Sequence, residues 1–208
     1  PPPCCDRCGA PLPRTGRAPE HSCIECAAWP PWLLAARSVA LLHPPADRLV
    51  HELKYRGWHA LAGPLGRLLA RLPLPAPLHA ALVVPVPTTA TRLRQRGYNQ
   101  AERIAHAFAI ATAREARPLL TRTGRAGSQT RLQPASRAAN VAGEFRVRSG
   151  AEVELAGALV LLVDDVMTTG ATALACATAL VAAGARGVGV VTFARAFDAR
   201  RVLAGAHH

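Results

Sequence analysis

A chain of 208 residues, 50% of them apolar and with a net charge of +12, has room for one medium domain and a small appendage. It contains no uninterrupted apolar run of about eighteen residues, so neither a transmembrane helix nor membrane insertion is expected. Aromatic residues are only 4%, and the few that could stack on bases (Trp58, Tyr98, Phe145) argue against sequence-tolerant stacking on a nucleic acid.

The positive charge is carried by 24 arginines and a single lysine, Lys54. So lopsided a ratio suggests a GC-rich coding sequence, and placement says more than number. Between Arg92 and Arg148 there are twelve arginines against three acids (Glu102, Glu115, Glu144). That clustering implies a polyanion nearby: a pyrophosphate-bearing ligand, a nucleic acid, or both. The chain opens PPPCC without an initiator Met, so some native N-terminus is expected to be missing. No signal peptide is recognisable, and a cytoplasmic location is expected. The closing His207-His208 is not expected to hold a ligand.

Residues 1–36 read as a first unit. Cys5-x2-Cys8 and Cys23-x2-Cys26, fourteen residues apart, have the spacing of a four-cysteine zinc site. Pro11, Pro13, Gly16 and Pro19 between the pairs read as turns. Disulfides are the competing reading, but they are rare in a reducing cytosol. Cys4 is an alternative to Cys5, and His21 to another ligand. Four ligands leave no open position, so the zinc is expected to be structural.

Residues 37–77 read as a hood beside the main sheet. They begin with a short strand-like run, Ser38 to Leu42. A helix over Ala46 to Tyr55 follows, with Leu49, Val50 and Leu53 at helical spacing and Gly57 as its stop. A second helical pattern runs from His59 to Leu72, interrupted at Gly63-Pro64. His43, His51 and His59 read as surface or packing residues.

Residues 78–208 read as the main domain. Ala80 to Pro87 make a buried strand, stopped by Pro85 and Pro87. The loop after it, Thr88 to Gly97, carries Thr88, Thr89, Arg92, Arg94 and Arg96. Hydroxyls and arginines at a strand end suit a diphosphate; a solvated basic loop is the bland alternative. Asn99 with Glu102 three residues on signals a helix start, and Ala101, Ile104, Ala105 and Phe108 form its apolar stripe. A strand near Pro118 to Thr121 is expected next. The segment Arg122 to Asn140, rich in Gly, Ser, Gln and Arg, has the length of a functional or disordered loop. Its Arg122, Arg125, Arg131 and Arg137 could fold over a polyphosphate. Val141 to Arg148 alternates as an outer strand does.

The most informative stretch is Ala158 to Thr172, ALVLLVDDVMTTGAT. Six apolar residues to Val163 read as a strand buried on both faces of a parallel sheet, with Asp164 and Asp165 at its end. The turn Thr168 to Thr172 opens a helix over Ala173 to Ala183, ended by Gly184. Val188 to Phe193 completes a strand-helix-strand unit. A helix N-terminus offers unpaired amides and a positive dipole end to a phosphate. Three threonine hydroxyls add donors, and Gly170 permits close backbone approach. Carboxylates beside that cradle suit vicinal sugar hydroxyls, so the pattern spells a ribose 5-phosphate group. Receiver domains also carry an acid pair after a strand, but near the chain start and without such a turn. Cys176, within a small-residue helix, reads as packing.

At these residues the chain resembles the phosphoribosyltransferase family, whose signature is an apolar strand, two acids and a TTGAT-like turn. Over nearly its whole length it is similar to the ComF family. The two Cys pairs, LVHELKYRG (49–57), VPVP with RLRQRGYNQAE (84–102), Gln129, Leu132, Arg137, Asn140-Val141, Gly143 and VLLVDDVMTTGAT carry that likeness; His43 departs from it, where the family often has Tyr. The resemblance implies an α/β, type I phosphoribosyltransferase-like parallel sheet with phosphoribosyl diphosphate and magnesium as ligands. By motif, Asp164 and Asp165 would meet the ribose hydroxyls as the catalytic pair. Met167, Thr168, Thr169, Gly170, Ala171 and Thr172 would hold the 5-phosphate. The loop after VPVP would meet the diphosphate, and Gln129 would join the arginines of the flexible loop. A link to DNA uptake in natural competence is also implied, with single-stranded DNA and a DNA-uptake helicase as partners. Two functions of different class stay open: a phosphoribosyl (pentosyl) transferase, and a non-catalytic single-stranded DNA-binding protein using its Arg-rich face.

Overall fold

The computed structural model describes residues 4–12, 23–55, 59–123 and 143–197. β1 spans Leu33–Leu41, five residues earlier than Ser38. Leu33 to Ala36 carry no strong strand signal, but they pair with Val188 to Val190 of a central strand, and tertiary pairing overrides weak local preference. α1 covers Ala46–Tyr55 as expected, with Val50 and Leu53 buried; Gly57 lies outside the described residues. A 3-10 turn, His59–Leu61, leads directly into α2, Ala62–Leu69. Gly63-Pro64 thus sits in the first turn of α2 and does not interrupt it, because the amide that proline lacks has no intrahelical partner there.

A second 3-10 turn, Ala76–Ala80, precedes β2, Leu82–Pro85. The segment expected as a basic loop folds mostly as a helix, α3 (Ala90–Arg96), capped by Thr89 and closed by Gly97 at φ 78°. α4, Gln100–Ala111, starts where Asn99 Oδ1 accepts from Ala101 N. β3 (Leu120–Arg122) and β4 (Phe145–Val147) form a separate antiparallel pair. Residues 124–142, including Arg125, Gln129, Arg131 and Arg137, lie outside the described residues. A short helix, α5 (Glu152–Leu155), then leads to β5 (Leu159–Met167), α6 (Ala171–Ala182) and β6 (Gly187–Arg195).

The main sheet is parallel, in the order β1-β6-β5-β2. β6 is buried along its whole length, which explains its continuous apolar reading. Helices cover both faces. On one, Val160, Leu162, Val188 and Val190 pack against Cys176, Ala177 and Leu180 of α6. On the other, Leu161, Val163, Val191 and Phe193 pack with Leu53, Leu65, Leu69, Ile104 and Phe108 from α1, α2 and α4. The α/β parallel architecture with a four-cysteine N-terminal unit is therefore as expected.

α2 and α4 cross closely at Gly66. A Cβ there would stand 2.5 Å from Ala107 Cβ and 2.7 Å from the Phe108 amide nitrogen, so backbone would have to move. Gly66→Ala is expected to lose about 1–3 kcal/mol of stability by overpacking, measured by urea unfolding with an unchanged denaturant slope.

Candidate functional site

Sequence alone ends the fifth strand at Val163; in the structure it runs on to Met167. The reason lies in its neighbours. β6 keeps pairing, with Asp164 opposite Thr192, Val166 opposite Ala194 and Met167 opposite Arg195. β2 stops earlier: Pro85 lies opposite Val163, and Val86 N still donates to Val163 O at 3.0 Å, but Pro87 has no amide to continue. From Asp164 onward β5 has a strand on one side only. A cavity of about 300 Å³ opens there, and both Asp164 and Asp165 line it.

The two acids are not equivalent. Asp165 shares the sheet face of Leu161 and Val163, the face covered by α1, α2 and α4. It is only 3% exposed, and its Oδ2 lies 2.8 Å from Lys54 Nζ, which comes from the last turn of α1. Asp164 is partly exposed, and its Oδ1 accepts from Asp165 N at 2.8 Å. It also lines a second, smaller cavity with Met167 to Ala173, of which Asp165 is not part. Desolvation, then the charge of Asp165, hold the Asp164 carboxyl well above the usual carboxylate range, with Lys54 pulling weakly the other way.

The smaller cavity is lined by the turn that the sequence reading expects to hold a phosphate. Gly170 takes φ 79° as the N-cap of α6, a conformation that suits glycine. The first intrahelical bond runs from Leu174 N to Gly170 O, so the amides before it have no helical carbonyl to bond. Thr169 Oγ1 accepts from Ala171 N at 3.4 Å, while Thr168 and Thr172 line both cavities.

α3 sorts the basic residues by helical spacing. Arg92 and Arg96, four apart, both line the larger cavity, as residues on one helix face do, and Thr88, just ahead of the Thr89 cap, lines it too. Arg94 is not among its lining residues, and the Thr89 hydroxyl is used in capping, accepting from Arg92 N at 3.2 Å. Arg96 donates to Gln100 Oε1 at 3.1 Å. Arg122, read from sequence as part of a flexible loop, sits in β3. Its Nε and Nη2 both donate to Glu144 Oε2, at 3.0 and 2.7 Å, above the Phe145 ring, and it lines the same cavity. Sequence reasoning missed Lys54, Asn99 and Gln100 as lining residues; Asn99 was legible only as a cap.

At the N-terminus the sulfurs of Cys5, Cys8, Cys23 and Cys26 all lie within 4.8 Å of one another. Three of the separations are 3.7 Å (Cys5–Cys26), 3.4 Å (Cys8–Cys23) and 3.8 Å (Cys23–Cys26). Tetrahedral thiolates 2.3 Å from a zinc ion stand about 3.8 Å apart, so the four residues fit that ion. Burial pushes the Cys8 thiol up and the Cys26 thiol to about 11, a cost that coordination by a divalent cation removes. Cys4 is exposed and outside the cluster; His21 lies outside the described residues. No described helix is long and apolar enough to cross a membrane.

No family model matches the chain. Proteins named DNA utilization protein YhgH do match. The one from Salmonella typhimurium is 31% identical over 193 residues, 89% of this chain and 81% of the relative. That from Escherichia coli O6:H1 is 32% identical over 196 residues with the same coverage. Among solved structures, a glutamine phosphoribosylpyrophosphate amidotransferase from B. subtilis aligns at 18% identity over 72% of this chain and 38% of its own, with a TM-score of 0.44. The allosteric regulatory enzyme of purine biosynthesis aligns at 23% identity over 64% of this chain and 25% of its own, with a TM-score of 0.43.

Two outcomes follow from the site chemistry. A carboxyl raised in the folded state costs stability once the unfolded chain ionises it, so the cost is absent below about pH 4 and grows as pH rises above it. Asp164→Asn is therefore expected to melt higher than wild type at pH 7, by about 2–4 °C per kcal/mol relieved, with the gap closing below pH 4 in a melting series. The purified protein is expected to hold one zinc per chain by elemental analysis, and Cys26→Ser to lose it.

Proposed function

We propose, because this chain belongs to the DNA utilization protein YhgH family, that its cavity binds phosphoribosyl diphosphate with magnesium in a ComF-like, phosphoribosyltransferase-like protein that serves DNA utilization. One observation carries the reading. Acids, threonine hydroxyls, the N-terminus of α6 and the arginines Arg92, Arg96 and Arg122 meet around one opening at the end of β5. Neither a sugar alone nor a phosphate alone calls for all of these.

In this reading the 5-phosphate lies against the turn Thr168 to Thr172, where amides without helical partners favour an anion. Asp164, which borders both cavities, accepts from the ribose hydroxyls. The diphosphate meets Thr88 ahead of α3, Arg92 and Arg96 on one face of that helix, and Arg122 from β3. Magnesium, when bound, supplies positive charge and Lewis acidity to the diphosphate, and Asp164 is an oxygen donor of the kind that hard cation takes. In a pentosyl transfer the arginines stabilise the negative charge of the departing diphosphate.

A second reading, salt-sensitive binding of single-stranded DNA, is favoured by the names of the relatives and by Arg94, which is exposed and does not line the cavity. It predicts oligonucleotide affinity that falls as salt rises.

Calorimetry with phosphoribosyl diphosphate tests the first reading. Wild type is expected to bind in the presence of Mg²⁺, and Asp164→Ala to bind roughly 10–100-fold more weakly, as the loss of hydrogen bonds to a carboxylate that the bound cation keeps ionised implies. Wild-type protein that takes up no donor with Mg²⁺ present would refute it.

A further inference from the structure

Lys54 is the one lysine beside 24 arginines in the chain, and it lies in the cavity wall. Its ammonium is held there by more than its partner. Leu53, the residue before it, is fully buried, and the Leu53 carbonyl accepts a hydrogen bond from the Tyr98 hydroxyl. Tyr98 belongs to the α3–α4 junction, which also places Asn99 and Gln100 at the cavity. The last turn of α1 is thereby fixed to the same structural corner as the site.

We propose that Lys54 is a positioning residue of the ligand pocket: it holds the Asp165 carboxylate as its own counter-ion, so that Asp164 alone of the acid pair is left to meet the sugar. This deepens, and rests on, the donor-binding function above. Three observations carry it. The Lys54–Asp165 separation is 2.8 Å, with the carboxylate 4% and the lysine 24% exposed. Asp165 faces α1 through Lys54 and lines the larger cavity only, whereas Asp164 also borders the smaller cavity at the turn that opens α6. Finally, the contact is a point charge on one carboxylate oxygen, the geometry of an ammonium; a guanidinium favours a planar, two-oxygen grip.

The physical consequence is electrostatic. Without Lys54, Asp165 is a buried carboxylate beside Asp164 in a pocket built for an anion. Like charges so close disfavour joint ionisation, and whatever charge persists repels phosphate. Asparagine at 165 removes that charge and makes the lysine dispensable. A lysine that gripped the ligand directly would instead be missed in either background.

The test is a double-mutant cycle on the full chain, read by calorimetry with phosphoribosyl diphosphate and Mg²⁺, with ribose 5-phosphate, and by thermal melting. Lys54→Met is expected to weaken donor binding about tenfold or more, as truncating one member of a buried pair does. Lys54→Met with Asp165→Asn is expected to bind within about threefold of Asp165→Asn alone, the two effects being coupled, and to regain its melting temperature. Lys54→Arg is expected to recover part of the loss. A double variant that binds as weakly as the product of the two single losses overturns this inference and leaves the donor site standing. Wild type that binds neither compound overturns both. If Lys54→Met does not fold, comparing the double variant with Asp165→Asn still decides the matter.

Discussion

A strand with helices on both faces is a poor place for a carboxylate, and β5 carries two in succession. Each ionised acid taken from water costs several kcal/mol unless something compensates it, and adjacent strand residues face opposite ways. The two therefore meet different surroundings although they are neighbours in sequence. Asp165 is compensated within the protein by the α1 lysine. Asp164 is not compensated to the same degree, and its carboxyl is held above the usual range by desolvation and by its neighbour.

The opening at the end of β5 follows from unequal strand lengths. β2 is four residues long and β5 nine, so the sheet has a step at its carboxyl edge, the usual place for a ligand in open α/β sheets. Into that step project a helix N-terminus, one face of α3 and the root of the β3–β4 pair. The lining includes four cationic side chains (Lys54, Arg92, Arg96, Arg122) against two acids. A pocket with that balance favours anions, and one cation spent on Asp165 still leaves an excess.

Much of this was legible from residue order. The apolar run into two acids and a small-residue turn gave the strand, the turn and the helix, because each of those signals is local. The four-cysteine unit was legible for the same reason: metal spacing is a local code. What escaped depends on distant partners. Nothing in VLLVDD says that the strand continues past Val163; β6 decides that. Nothing in RLRQRG says loop or helix until Thr89 caps it and Gly97 closes it, after which the four-residue spacing of Arg92 and Arg96 separates them from Arg94. Lys54 lies more than a hundred residues from its partner, and no pattern in the chain joins them.

The cysteine unit is tied to the same sheet by contacts of that long-range kind. Arg7 O accepts from the Ala36 amide of β1 at 2.9 Å, and the Arg37 side chain donates to Asp6 O and Arg7 O. Arg7 thus meets the open edge of β1 at Ala36, as Ala116 and Arg117 meet that of β2 at Val83. Unpaired edges invite strand addition from other chains, and here each is engaged at one point. The unit is also fastened from below. Arg195, buried at the end of β6, donates to the Cys8 carbonyl and stacks at 4.3 Å on Phe197. In the sheet Arg195 lies opposite Met167, the residue that leads into the phosphate turn. A buried guanidinium is tolerated only where its surroundings are electron-rich; the Cys8 carbonyl and the Trp29 and Phe197 rings contribute to that here. The cysteine unit and the turn that opens α6 therefore meet at one strand end, through Arg195 opposite Met167.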